Sequence, residues 1–204
     1  MKRIIRLLNN NRGLTLLELI ITFALLGIVS LAITGLLSTG ANSYRRVSTE
    51  VSLQYESQLA MNQLQEYLID SNGGVYFDGD ILYVADTDGE SGGAPLWFIH
   101  CFYWNADSAE LYYWRGTVTY DEHNQPQCTP PAFDSSEWAL MASYVGTFNA
   151  EPGTFTDSNK QFCRIVLTMS LGERTYTAEE TVALRNPVKT STSDYQSWLN
   201  LVCG

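Results

Sequence analysis

The chain has 204 residues, of which 45% are hydrophobic, enough to bury the core of one domain and to leave an accessory element. Its net charge of −10 is unevenly distributed, because residues 1–13 contain Lys2, Arg3, Arg6 and Arg12 and no acidic residue. The rest of the chain has 8 basic and 22 acidic residues, a net charge of −14. This disfavours nucleic-acid binding by general electrostatics and suits an extracellular space.

The first predicted element is a helix that begins in a membrane. Residues 19–37 contain no charged side chain, and as a helix they would extend roughly 29 Å, close to the thickness of the hydrocarbon core of a bilayer. The preceding cations predict a cytoplasmic N-terminus and an exported remainder. No proline occurs before Pro95, and "DSNGG" at 70–74 is a stop signal, so we expect a helix from about Leu14 to about Ile69.

The second half of this helix is predicted to be amphipathic. Apolar residues recur at intervals of three or four, and Leu64 and Leu68 continue the pattern loosely. We expect this stripe to pack against a sheet; its members are Tyr44, Val47, Val51, Tyr55 and Leu59.

After Gly74 the sequence is typical of β-structure. "VYF" (75–77) and "ILYVA" (81–85) are predicted strands around a turn at "DGD", and "LWFIHCFYW" (96–104) is a predicted strand covered on both faces. The predicted fold class is therefore α+β, with a long N-terminal helix packed on an antiparallel β-sheet head.

In the second half of the head, the sequence leaves the secondary structure of some segments open. Residues 110–120 are expected to form a strand or a bent hairpin arm, 121–136 a loop, and 138–145 either a short helix or a strand. "CRIVLTMSL" and "RTYTAEETVAL" flank "GE" and predict a hairpin, and the tail from Asn186 is polar.

Three features of the head invite functional hypotheses. "DTDGES" (86–91) resembles a calcium loop, but only Asp86 and Asp88 fit and Trp97 occupies the position of the bidentate glutamate, so a solvated turn is favoured. The aromatic residues between 97 and 114 suggest a sugar platform or, as we favour, a core. His100 and His123 are far apart, and we expect His100 to be a satisfied core histidine.

No catalytic motif, P-loop or nucleophile elbow is present, so we expect no enzyme activity and no cofactor. The four cysteines fit no common zinc spacing. Beyond a membrane segment they suggest disulfides with three possible pairings, and buried free thiols are the alternative. These residues are Cys101, Cys128, Cys163 and Cys203.

The most distinctive segment lies in front of the apolar run, where a basic leader and Gly13 precede Leu14-Thr15-Leu16-Leu17-Glu18-Leu19. This pattern resembles the prepilin signal of type IV pilins and pseudopilins. The resemblance implies that a prepilin peptidase cleaves after Gly13 and N-methylates Leu14. It also implies a pilin-like fold and subunit packing through the N-terminal helices, in which Glu18 pairs with the free amine of a neighbour. In that family the residue after the glycine is usually phenylalanine, whereas here it is Leu14.

The resemblance divides the chain into a leader (1–13), a transmembrane half-helix (14–37), an amphipathic half-helix (38–70) and an extracellular or periplasmic head (71–204). It implies a minor pilin or pseudopilin whose partners are the prepilin peptidase, other pilin subunits and the membrane, with no direct nucleic-acid binding. "ETVALRN" (180–186) is similar to a segment of one group of these proteins. Adhesion, motility, DNA uptake and protein secretion all remain open. A plain signal-anchored binding domain that never assembles is the alternative.

Overall fold

The computed structural model describes residues 15–91, 94–134, 136–156, 160–190 and 194–203, and it confirms the α+β class. The basic leader, Gly13 and Leu14 lie outside the described residues. The elements in chain order are α1 (Leu16–Asp70), β1 (Gly74–Phe77), β2 (Ile81–Ser91), β3 (Ala94–Asn105), β4 (Glu110–Thr117), β5 (Thr119–Tyr120), β6 (Pro126–Gln127), β7 (Ala139–Ser143), β8 (Val145–Thr154), β9 (Gln161–Leu171), β10 (Arg174–Ala183), β11 (Lys189–Thr190) and α2 (Tyr195–Cys203).

The chain divides into two compact units, Met1–Ser48 and Thr49–Gly204, and α1 contributes residues to both. In the first unit every described residue is exposed. The helix contains an 18-residue window with a mean hydropathy of 2.6, so by length and composition it could cross a membrane. A lipid surrounding would accept these apolar side chains without a protein partner.

In the second unit, α1 buries a different face from the one the sequence predicted. Leu64 and Leu68 are fully buried, as expected, whereas Val51, Tyr55 and Leu59 are 57%, 68% and 40% exposed. Tyr44 and Val47, in the first unit, are exposed as well. The expectation that Val51, Tyr55 and Leu59 pack on the sheet is therefore wrong. The buried face of α1 consists of Leu53, Ser57, Ala60, Met61, Leu64 and Leu68.

Two sheets form most of the second unit. The main sheet has the strand order β11-β1-β2-β3-β4-β7, in which β1 and β11 are parallel and the other pairs antiparallel. The small sheet has the order β10-β9-β8 and is antiparallel. β5 and β6 pair with each other.

The main sheet is covered on both faces. Along β2, Leu82 and Val84 belong to a core shared with α1 and the small sheet, which we call the inner core. Tyr83 and Ala85 belong to a second core shared with α2, which we call the outer core. This alternation has the two-residue period of a strand. In β3 the run from Ile99 to Phe102 is buried throughout, which confirms the prediction of a strand covered on both faces.

Several local predictions are corrected by the strands. "DTDGES" is not a turn, because β2 continues through it to Ser91, with a register irregularity between Thr87 and Glu90. The ambiguous segment 138–145 contains no helix: it holds β7 and the first residue of β8, with Tyr144 at φ 64° between them. The sequence reading missed most of β8 and all of α2. The predicted hairpin of β9 and β10 is confirmed, with Gly172 at φ 61° in its turn.

Candidate functional sites in the N-terminal segment and the head

Thr15 and Glu18 form the first turn of α1. The Glu18 backbone N–H donates to Thr15 Oγ1 at 3.2 Å, and the Leu19 N–H donates to the Thr15 carbonyl at 3.2 Å. Thr15 is therefore the N-cap of the helix, and Glu18 stands at its third position, as in a capping box. The sequence reading assigned the threonine only by resemblance, although the T-x-x-E spacing is itself a start signal for a helix.

Glu18 is an exposed carboxylate among exposed apolar side chains. Leu17, Leu19 and Ile20 are 68%, 45% and 55% exposed. A carboxylate in the first turn interacts favourably with the partial positive charge of the helix N-terminus. In hydrocarbon it would still need a cationic partner, since an isolated charge there costs several kcal/mol.

The segment "ETVALRN" joins the small sheet to the end of α1. The Leu184 N–H donates to the Gln161 carbonyl at 2.9 Å. Arg185 Nη1 contacts Asp70 Oδ1 at 2.8 Å, and Asn186 Nδ2 donates to the Ser71 carbonyl at 3.0 Å. The ion pair is exposed and contributes little by itself. Together these contacts fix the position at which the chain leaves the helix.

His100 and the aromatic residues between 97 and 114 are packed in the core of the head, whereas His123 is exposed. His100 is 7% exposed, its Nδ1 lies 2.9 Å from Tyr113 Oη, and its ring packs against Tyr67 at 4.8 Å. Burial, with a contribution from Arg115, lowers the pKa of His100 to about 4. This confirms the expectation of a satisfied core histidine. The aromatic residues between 97 and 114 are buried or half-buried.

The acidic residues proposed as a weak calcium site line an open cleft. This cleft of about 280 Å³ contains Asp86, Asp88, Glu66 and Asp70 together with His100 and Arg115. Burial raises the pKa of Asp86. Among the described residues, no group of three or more His, Cys, Asp or Glu side chains could hold a metal ion. The cleft therefore carries no metal-site assignment.

The four cysteines are buried, and no disulfide joins any two of them in the structure. Cys163 belongs to the inner core, and the other three belong to the outer core. The prediction that they form disulfides is not tested by this arrangement.

These observations define an α+β protein whose N-terminal helix is apolar enough to span a membrane. The family model of the prokaryotic N-terminal methylation motif matches residues 8–34. This motif is characteristic of the prepilin-type signal of type IV pilins and pseudopilins, so the resemblance recognised in the sequence is confirmed for this segment. No curated protein and no solved structure matches the chain.

Proposed function

We propose that this chain is a minor pilin or pseudopilin, a subunit that is trimmed after Gly13, N-methylated on Leu14 and assembled into a type IV pilus-like filament. The observation that carries the proposal is the methylation motif at residues 8–34, which supports a pilin-like processed subunit. Under this proposal, residues 14–37 lie in the membrane before assembly and the head at 71–204 lies outside it.

The exposed side chains of α1 support assembly. In the second unit Val51, Tyr55 and Leu59 leave an apolar row uncovered, although the opposite face of the same helix is fully buried. Large exposed apolar rows are typical of surfaces that bind another protein. Neighbouring subunits would cover this row in a filament, and the Leu14 amine of one subunit would neutralise Glu18 of another.

The experiment that tests this proposal is mass spectrometry of the N-terminal peptide and of the intact protein from its native membranes. The expected product begins at a methylated Leu14. A Gly13→Val variant is the matched control, because a bulky side chain next to the scissile bond should leave the leader attached without touching the head. A wild-type chain that retains Met1 would overturn the proposal and favour a plain signal-anchored binding domain.

The proposed subunit has a structural role. The methylation motif is that of a structural subunit. The expected partners are the prepilin peptidase, other pilin subunits and the membrane. The candidate uses of such a filament are adhesion, motility, DNA uptake and protein secretion.

A further inference from the structure

Three of the four thiols occupy one core. Cys101, Cys128 and Cys203 belong to the outer core beneath α2, and Cys163 belongs to the inner core on the other face of the main sheet. A disulfide requires Cα atoms within about 7 Å of each other, so a thiol across a sheet cannot take part without backbone movement. The candidate pairs are therefore those among the three thiols of the outer core.

Cys128 lies directly over the main sheet. Its Sγ is 2.9 Å from the position that a Cβ on Gly116 would occupy. Gly116 pairs with Ile99, and Cys101 lies two residues along β3 on the same face. Cys128 thus sits in the layer above Cys101, in the segment that follows β6.

The same layer contains Cys203, near the end of α2. The Tyr195 hydroxyl of α2 donates to the Cys128 carbonyl, and Gln196 Nε2 donates to the Pro126 carbonyl at 3.0 Å. From the β5–β6 pair, the Tyr120 hydroxyl donates to the Cys203 carbonyl at 3.1 Å. These bonds hold the segments that carry Cys128 and Cys203 against each other.

The two possible disulfide partners of Cys128, which are Cys101 and Cys203, differ in solvent exposure. Cys128 and Cys203 are 6% and 9% exposed, whereas Cys101 is completely buried. Cys101 is also fixed within β3, whose backbone is paired with β2 on one side and β4 on the other. The last turn of a short helix adjusts more easily than a central strand to the geometry of a disulfide.

We propose that Cys128 and Cys203 form a disulfide in the exported protein, which fastens α2 to the segment after β6, and that Cys101 and Cys163 remain thiols. The proposal rests on the proposed function in one respect, because it requires the head to lie in an oxidising compartment.

The oxidant is the disulfide of a thiol-oxidising protein of that compartment. The Cys128 thiolate attacks one donor sulfur, which forms a mixed disulfide and releases one donor thiol. The Cys203 thiolate then attacks the Cys128 sulfur, which closes the bond and releases the second donor thiol. Two protein thiols are oxidised, one donor disulfide is reduced, and the two protons end on the donor thiols.

The timing of this exchange follows from burial. In the folded protein burial raises the pKa of Cys128 to about 11 and that of Cys203 to about 12. The thiolate is the reacting form, so the folded protein would react slowly at neutral pH. In the folded protein the exchange is therefore slow, and it should begin at Cys128 and Cys203, which are less buried than Cys101.

The test is a peptide map of the full-length protein from its native membranes, quenched in acid and alkylated without reduction. We expect a linked pair of peptides that contain Cys128 and Cys203 and separate on reduction. Cys101 and Cys163 should be alkylated only after denaturation. A bond between Cys128 and Cys101, or four free thiols, would overturn the proposal.

Alanine variants add a second readout. Cys128→Ala and Cys203→Ala should each abolish the effect of reductant on thermal unfolding and lower the Tm by about 10 °C, as expected for opening a long loop. Cys163→Ala is the matched control, because it removes a buried thiol but should keep both the linked peptides and the effect of reductant. If a variant does not fold, the wild-type peptide map decides.

The same digest separates this proposal from the proposed function. A methylated Leu14 together with four free thiols would overturn the disulfide and leave the pilin-like subunit intact. A chain that keeps Met1 and contains the Cys128–Cys203 bond would overturn the proposed pilin-like subunit and leave the disulfide intact.

Discussion

At the scale of single residues, His100 makes the stability of the head depend on pH. Its pKa is lowered to about 4 by burial and by Arg115, below the ordinary value of 6.5. Between these two values the unfolded state binds more protons, so the free energy of unfolding falls as the pH falls from about 6.5 to 4. The loss should approach about 3 kcal/mol, from the size of the shift.

Urea unfolding of the wild type and of His100→Gln at pH 7 and pH 4.5 measures this contribution. The glutamine variant should be less stable at pH 7 and should lose less stability on acidification. Asp86 has the opposite effect on the pH dependence of stability, because its raised pKa means that the folded state binds a proton more readily than the unfolded state does. This effect is the same in the wild type and in the variant, so it cancels in the comparison. Equal pH dependence in the two proteins would contradict the assignment.

Gly116 lies at the point in the outer core where an added side chain would have the least space. A Cβ at this position would lie 2.1 Å from Trp114 Cη2 and 2.9 Å from Cys128 Sγ. Gly116→Ala should therefore destabilise the protein by about 1–3 kcal/mol, as overpacking does. Gly146→Ala is a suitable comparison, because the nearest atom there is Ser170 Oγ at 2.9 Å, on a side chain that can rotate. Similar unfolding midpoints for the two variants would contradict this reading of the packing.

The residues that the sequence predicted well are those with a local chemical reason. His100 lies within a continuous apolar run, and a polar side chain there must find a partner, which is Tyr113. The capping role of Thr15 could have been read from T-x-x-E. The grouping of three cysteines in the outer core could not be predicted from the sequence. It depends on how α2 and the segment after β6 fold back over the main sheet, and the spacing of the cysteines along the chain does not contain this information.

At the scale of elements, α1 shows why a period alone does not identify the buried face. Two apolar rows run along this helix, and the sequence reading chose the one that begins at Tyr44. The row through Leu53 and Met61 packs in the inner core, and it includes small residues that a search for large apolar side chains passes over. Ser57 and Ala60 are both completely buried.

Leucine truncation on the two faces of α1 tests this distinction. Leu64 is 0% exposed and Leu59 is 40% exposed. Leu64→Ala should lower the free energy of unfolding by about 2–5 kcal/mol through a core cavity. Leu59→Ala, the same chemical change on the same helix, should change it by less than about 0.5 kcal/mol. Comparable losses measured by chemical denaturation would contradict the assigned face.

The strands show a similar division between local and non-local information. β1, β2, β3 and the β9–β10 hairpin were predicted because alternation and turn residues define them locally. β8 was largely missed because "GTFNAEPGT" contains glycine and proline and becomes a strand through its pairing with β9. α2 was missed because its apolar side chains are defined by the outer core they cover.

At the scale of the whole molecule, charge and apolar surface are unevenly distributed along the chain. The described part of the first unit exposes apolar side chains throughout, and the second unit has two closed cores. This contrast was predictable, since it follows from a long uncharged run ahead of an acidic remainder. The exposure of Val51, Tyr55 and Leu59 was not predicted, because the sequence does not show which apolar row of α1 faces the core.

Glu18 is expected to matter for filament assembly and not for cleavage of the leader. If it pairs with the amine of a neighbouring subunit, Glu18→Gln should be inserted and cleaved normally, because the scissile bond lies five residues earlier, after Gly13. Its incorporation into filaments should fall at least about tenfold, since an unpaired buried amine costs several kcal/mol. Glu66→Gln, which changes an exposed carboxylate on the same helix, is the control and should assemble as the wild type does. The measurement is the fraction of processed protein that sediments with sheared filaments, with the N-terminal peptide followed in parallel. Normal sedimentation of Glu18→Gln would show that the carboxylate serves only the first turn of α1, and a loss of cleavage would place its role in the signal.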